Sequence, residues 1–423
     1  MAGPLEGVRV LELAHERTAF AGKLLADAGA DVRLLEPPDG CAQRRHAPFA
    51  GDHPDPERSL SFWHYNTSKR GITLDVETPR GRELAGALIG LVDVVLEGED
   101  PGWLTAIGVD ATAELARNPA LVWVSITPFG RSGARAHDPA TDLTLLASGG
   151  PVWSCGYDDH SAPPVRGGGN QAYHTGAHFA VMALLVALIE RQRSGRGQLV
   201  DVNIHAACNV TTEFATYEWL VAHGTVQRQT GRHASLARTP PTQARCADGR
   251  YANTGVPPRT PEQFRRLRQW LVDLGLVEEF PEIFLLDMGM ERDHIDWSSV
   301  GKDEELTAIV AAGRDAIVLI AARLPAVDFF RQAQERGIPV GVIYAPEEVL
   351  DDPHFRARGF PVDVEHPELG RTVTYPGAPY RFTGTPWRLS RRAPRLGEHN
   401  AAVYGELGLT SADLVALRAQ RIV

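Results

Sequence analysis

The chain is poor in cysteine and methionine, with four of each in 423 residues. Cys41, Cys155, Cys208 and Cys246 form no CxxC pair, so their spacing suits neither a zinc site nor a disulfide framework, and they read as reduced thiols. Positive charge is also short: 43 Lys and Arg against 53 Asp and Glu leave a formal net charge of −10. That excludes a nucleic-acid binder, because phosphate neutralisation needs concentrated cations. Long hydrophobic runs are missing. The longest, Phe179 to Ile189, is too short to span a bilayer, which predicts no membrane partner. The N-terminus lacks a basic region followed by an apolar one, so it reads as no signal peptide, and a cytoplasmic location is expected. GxGxxG is absent after the first apolar run, where AHERTAFAG stands instead, so NAD and FAD are not supported.

What remains is an ordinary globular composition, 43% hydrophobic and 23% charged, in a chain long enough for two or three domains. The opening residues read as one β-α-β unit: a strand at Val8–Leu13, a helix at Thr18–Ala28 closed by Gly29, and a strand at Asp31–Leu35. The pattern recurs with strands at Gly71–Leu74, Val92–Leu96 and Leu121–Thr127 and a helix at Pro79–Leu91. This is the start of a doubly wound parallel sheet. Arg228–Pro257 reads as a linker with turns, holding a hairpin around Asp248-Gly249. Helical spacing dominates Thr260–Leu324, and Ile338–Tyr344 returns to strand character.

The most distinctive stretch is PPVRGGGNQAYHTGAHFAVMALLVALIERQRSGRGQLVDV, Pro163 to Val202. It resembles the hallmark segment of the family III CoA-transferases, the superfamily of formyl-CoA transferase, carnitine CoA-transferase and α-methylacyl-CoA racemase. Similar blocks run through the chain: LEGVRVLELA, LLADAGADVRLLEPPDG, YNTSKRGITLDVETPRGRELAGALIGLVDVVLE, RGIPVGVIYAPEEVLDDPHFRARGF and APRLGEHN. The resemblance implies an α/β fold, with a Rossmann-like large domain from residues 1–205 and 335–423. Linkers and a smaller inserted α+β domain fall at 206–334. It also implies an interlocked dimer and an acyl-CoA substrate.

Transferring members of the family attack the acyl-CoA thioester with an aspartate four residues before the glycine that opens the long helix. A carboxylate is needed because the mixed anhydride must be high in energy and reversible. That glycine is Gly176, and four residues before it stands Ala172. The racemase branch pairs an aspartate with a histidine directly preceding a DxxxxxxxG stretch; here the stretch is Asp142–Gly150 and the preceding residue is Thr141. The family's ENFRPG-like block reads EGEDPG, placing acidic Glu99 and Asp100 where CoA phosphates would lie.

The CoA-binding residues implied are His15 and Arg17 at the first strand-to-helix turn, and Lys69 with Arg70; the alternative for each is a solvated surface charge. Gly167-Gly168-Gly169 lacks a P-loop ending and reads as a turn. His174 and His178 share a helix face without a third ligand, so no metal is expected, and His174 is the candidate for an altered acid or base. Ala177–Ile189 is apolar all round and reads as a buried helix. Trp63, Trp153 and Tyr157 are candidates for an acyl pocket.

Two readings stay open. The chain is a CoA-transferase moving CoA between an acyl-CoA and a carboxylic acid, as a homodimer or as one subunit of a heteromer. Alternatively, with a degenerate active site, it is a non-catalytic subunit paired with an Asp-bearing paralogue, or a repurposed racemase-like enzyme.

Overall fold

The computed structural model describes residues 3–255 and 257–423. It divides into two compact units: Met1–Trp153 with Val165–His223 and Asp352–Val423, and Ser154–Pro164 with Gly224–Asp351.

The larger unit is built on a parallel sheet of β1 (Arg9–Leu13), β2 (Asp31–Glu36), β3 (Arg70–Thr73), β4 (Val94–Glu97), β5 (Val122–Thr127) and β6 (Leu199–Asn203), ordered β3-β2-β1-β4-β5-β6. All six residues of β5 are buried, as expected for a parallel strand covered on both faces. The α-helices as far as Tyr217 are α1 (Glu16–Asp27), α2 (Leu60–Tyr65), α3 (Pro79–Ile89), α4 (Trp103–Ala106), α5 (Ala111–Arg117), α6 (Asp142–Gly149), α7 (Gln171–Ser194), α8 (Ile204–Val210) and α9 (Glu213–Tyr217). Side chains of α1 and α7 meet Val10, Val94, Val122 and Val124 on one face of the sheet. Side chains of α3 and α5 meet Leu11, Ile72, Val95 and Trp123 on the other. The strand order reverses between β1 and β4, and an open sheet of this kind forms its ligand crevice beyond the carboxyl ends of the strands at that point.

In the larger unit, strands form where sequence periodicity predicts them, with ends shifted by a residue or two. The first helix begins at Glu16 rather than Thr18, because His15 caps it by accepting the Arg17 amide. Gly29 follows that helix at φ +101°, the left-handed conformation that glycine adopts without steric cost.

The smaller unit holds the hairpin expected at Asp248-Gly249. Its strands β7 (Gln243–Arg245) and β8 (Tyr251–Asn253) run antiparallel, and β9 (Gly341–Val342) adds to β8. The stretch expected as a strand at Ile338–Tyr344 thus keeps only two residues in that form. The helices α10 (Pro261–Asp273), α11 (Ile283–Glu291), α12 (Glu304–Arg323) and α13 (Ala326–Glu335) close on a core of Phe264, Leu267, Trp270, Ile309, Ile317 and Phe329.

The last segment returns to the larger unit as a hairpin of β10 (Pro361–His366) and β11 (Arg371–Pro376) with α14 (Pro353–Arg358), α15 (Asn400–Gly405) and α16 (Ser411–Ala419). The Tyr404 hydroxyl donates to the Thr73 carbonyl at 2.7 Å, and the Asn400 side chain holds both the amide and the hydroxyl of Thr73.

Two sequence expectations change here. Lys69 is no surface charge: it is fully enclosed, with Nζ 2.7 Å from Glu12 Oε2 and within 3.0 Å of Glu12 Oε1, Asn66 Oδ1 and the Ala19 carbonyl. Glu12 Oε2 keeps this charge contact without a directed hydrogen bond. Burial dominates the pair, lifting the Glu12 carboxyl above its ordinary range and lowering the Lys69 ammonium. The second change concerns α7, which is not buried all round. Its inner face packs on β5, β6 and α1, while Met182, Val186 and Ile189 on the outer face are more than half exposed.

Removing one member of an enclosed ion pair strands the other charge. Lys69→Met is therefore expected to lower unfolding stability by about 3–5 kcal/mol in denaturant titration, and Glu12→Leu/Lys69→Met to recover most of that loss. A single mutant as stable as the parent would show that the pair does not hold this end of the sheet.

Candidate functional site

Three buried carboxylates end neighbouring strands at the crevice, each with its own cation. Glu12 has Lys69. Glu36 accepts from Arg44 Nε at 2.7 Å and Nη2 at 2.8 Å. Glu97 accepts from Arg131 Nη1 at 3.2 Å and from the Glu99 amide at 2.9 Å. Arg131 is in turn fixed by Asp201, whose two oxygens accept its backbone N–H.

Arg17 lies in the first turn of α1 and is nine-tenths buried. Its Nη1 donates to the Gly98 carbonyl at 2.8 Å and to Asp100 Oδ1 at 2.9 Å. Gly98 suits this approach: a Cβ there would stand a tight 3.1–3.3 Å from Thr18, Arg17 and His15. His15 lines a cavity of about 180 Å³ between the ends of β1 and β2, together with Glu16, Cys41, Gln43, His46 and Asn66. Burial, reinforced by the Arg17 charge, lowers its imidazole to about 4, so it is neutral at physiological pH. Burial likewise pushes the Cys41 thiol up to about 12 and keeps it protonated. Arg70 lies elsewhere, at the opening end of β3, where it donates to Asp31 and Glu406. The crevice thus gathers His15 and Arg17. Lys69 lies beneath it and Arg70 at the opposite end of the sheet.

The start of α7 forms the second half of the crevice. Ala172 is fully buried, and its backbone N–H donates to Asp142 Oδ1 at 2.8 Å, as does the Tyr173 N–H at 3.3 Å. Asp142 therefore caps α7, occupying the orphan donors and the positive end of the helix. Arg166 Nη1 reaches the same carboxylate at 3.3 Å and also binds the carbonyls of Gly167 and Gly169. In the glycine run it is carbonyls that are gathered, around a guanidinium, rather than amides around a phosphate. Gly176 is set by packing, since a Cβ there would come 2.9 Å from Ile204.

His174 stacks on Phe20, with ring centroids 4.2 Å apart, and its Nε2 lies 2.8 Å from the Tyr65 hydroxyl. Burial lowers the His174 imidazole and also brings that of His64 down to about 4. Tyr173 donates to Glu16 Oε1 at 3.2 Å, and burial beside that carboxylate pushes the phenol up to about 12. The result is a layer of neutral hydrogen-bonding rings around an alanine. Such a layer orients and solvates a ligand, and the carboxylates beside it, Glu16 and Asp142, are each hydrogen-bonded within the chain. His178 is exposed, and no group of three metal-ligating side chains occurs among the described residues. Trp63 is a core residue, donating to the Glu57 carbonyl at 2.9 Å, while Trp153 and Tyr157 are about half exposed. Asp158 is held by Arg232 at 2.7 Å in the smaller unit.

Sequence reasoning missed the Arg17–Asp100 bond, the Asp142 cap and the Tyr65–His174 pair. The EGEDPG block gave the one available signal, because it sets acids opposite the cation of the first turn.

The chain matches the model of CoA-transferase family III over residues 5–400 and belongs to that family. It is 33% identical over 407 residues to succinyl-CoA:(R)-benzylsuccinate CoA-transferase subunit BbsE of Thauera aromatica, covering 96% of this chain and 95% of the relative. It is 32% identical over 425 residues to succinyl-CoA–D-citramalate CoA-transferase of Chloroflexus aurantiacus, covering 99% and 98%. Among solved structures, a CAIB/BAIF family protein from Brucella suis superposes with a TM-score of 0.78 at 28% identity, covering 96% of this chain and all of that one.

Glu99 gives this region a pH signature. Burial, then the neighbouring Glu97 charge, raises its carboxyl to about 7 against the opposite pull of Arg17. Because its folded value lies above the ordinary 4.5, Glu99 adds stability that is complete below that value and lost as the pH rises through about 7. Glu99→Gln is expected to match the parent in thermal melts at about pH 5 and to exceed it by about 1–2 kcal/mol at about pH 8, allowing for solvent screening. A constant difference across that range would contradict the assignment.

Proposed function

We propose that this family III chain is one subunit of a heteromeric CoA-transferase. The assembly moves CoA between an acyl-CoA and a small carboxylic acid, and the aspartate of a paralogous partner carries the covalent steps. The observation behind this reading is the buried methyl of Ala172 at the position where the family's resemblance puts the nucleophile. Alanine forms no anhydride, and Asp142, the carboxylate bonded to its amide, is already committed to two N–H groups and Arg166.

Support comes from two further directions. The relative from Thauera aromatica is itself named as a subunit of its transferase. The larger unit of this chain exposes Met182, Val186 and Ile189 of α7, with Phe214, Tyr217, Trp219, Leu220 and Val221 just beyond α8. These exposed apolar side chains support a reading in which another protein covers them. The occupant we assign is an Asp-bearing chain of the same fold, in the cytoplasm. Two of the relatives act from succinyl-CoA by name, so succinyl-CoA is the donor we assign.

Co-purification with an Asp-bearing paralogue, followed by an acyl-exchange assay with succinyl-CoA and a panel of dicarboxylic acids, tests this reading. A heteromer should turn over and the lone chain should not. Replacing the partner's aspartate should abolish the activity. Ala172→Asp in the lone chain should not restore it, since a second carboxylate beside Asp142 is disfavoured and the acids around Arg17 remain. Rapid exchange by the lone wild-type chain would overturn the proposal.

A further inference from the structure

Arg17 has the setting of an anion-binding residue. It lies in the first turn of a twelve-residue helix, at the β1/β4 reversal, where the helix dipole favours negative charge. Its guanidinium is nine-tenths buried, and its Nε has no hydrogen-bond partner among the described residues. Yet the anion already there belongs to the chain: Asp100 Oδ1 at 2.9 Å, on a side chain 76% exposed at the mouth. The neighbouring cation, Arg131, is held by Glu97. Glu16 and Glu99 add two further carboxyls within the same wall, one against Tyr173 and the other against Glu97. An incoming phosphate therefore finds both guanidiniums engaged and several acids facing it.

We propose that Asp100 is the residue that sets this subunit's crevice against the phosphates of CoA, by standing in for them at Arg17. The inference rests on the heteromeric reading, in which acyl-CoA is handled by the partner's crevice. It goes further in naming the residue that makes this crevice silent. Because Asp100 is exposed and the Gly98 carbonyl retains Arg17 Nη1, neutralising Asp100 frees the guanidinium without emptying a packed position.

Isothermal titration of the full chain with adenosine 3′,5′-bisphosphate, the phosphate-bearing nucleotide half of CoA, provides the test, with inorganic phosphate as a parallel arm. Wild type should bind neither measurably. Asp100→Asn should bind the bisphosphate at least about tenfold more tightly than wild type, because one opposing charge is removed at contact distance. Arg17→Gln/Asp100→Asn should lose that gain while melting like the single mutant. A gain for inorganic phosphate alone, no gain in Asp100→Asn, or a gain that survives loss of Arg17 overturns the proposal. Turnover of the heteromer with Asp100→Asn in this chain separates the two ideas. A silent Asp100→Asn beside an active heteromer ends only this inference, whereas acyl exchange by the lone wild-type chain ends the reading beneath it.

Discussion

The larger unit depends on the solvation of Glu12 by Lys69 at the carboxyl end of its central strand. A parallel sheet covered on both faces has no water to offer a carboxylate, and an enclosed charge is tolerated only with a partner and hydrogen bonds around it. Lys69 supplies the charge, and Asn66 and the Ala19 carbonyl complete the ammonium's shell. The segment from α2 to β3 is thereby tied to α1 and β1, and with it the position of Tyr65, which meets His174. Glu36 with Arg44 and Glu97 with Arg131 repeat the device on the strands to either side. The crevice floor is thus a row of carboxylates, each paired with a cation of the chain itself.

That balance separates what the scaffold does from what the site can do. The helix that would present a nucleophile is capped and packed with full care: Asp142 satisfies its first amides, and Gly176 admits Ile204. None of this bonding uses a side chain at position 172. The fold therefore loses nothing when the carboxylate is absent, whereas covalent acyl transfer loses its first step. The proposed subunit role asks only for the scaffold, and the scaffold's bonding is complete without a side chain at this position.

The sheet was legible because parallel strands buried on both sides are written as short apolar runs, as in VWVSIT, and helices as 3.6-residue patterns between them. The expectation that Ala172 stands at the nucleophile's position comes from a motif spacing, and the proposed function is built on it. Less could be read where a residue's partner lies far along the chain. Asn66 and Lys69 were visible as a pair three apart, but their target, Glu12, is 57 residues from Lys69. Arg17 looked available to a phosphate because Asp100, 83 residues away, closes on it only after β1 and β4 pair. Burial of a charge is a property of the tertiary fold, and composition near the residue does not record it.

The same limit explains α7. From sequence, an all-round apolar helix reads as fully buried, and the structure of one chain covers only the side facing β5, β6 and α1. Both facts hold together if the pattern was written for an assembly. The outer residues Met182, Val186 and Ile189 are more than half exposed, as are Trp219, Leu220 and Val221 beyond α8. In the proposed heteromer this helix of 24 residues joins two cores, the unit's own on its inner face and the partner's on its outer one. The proposed contact brings the second chain to the helix whose N-terminal turn holds Ala172. Under the proposed heteromeric reading, the alanine at position 172 and the exposure of this face are linked, because the chain that covers the face is the one that supplies the aspartate.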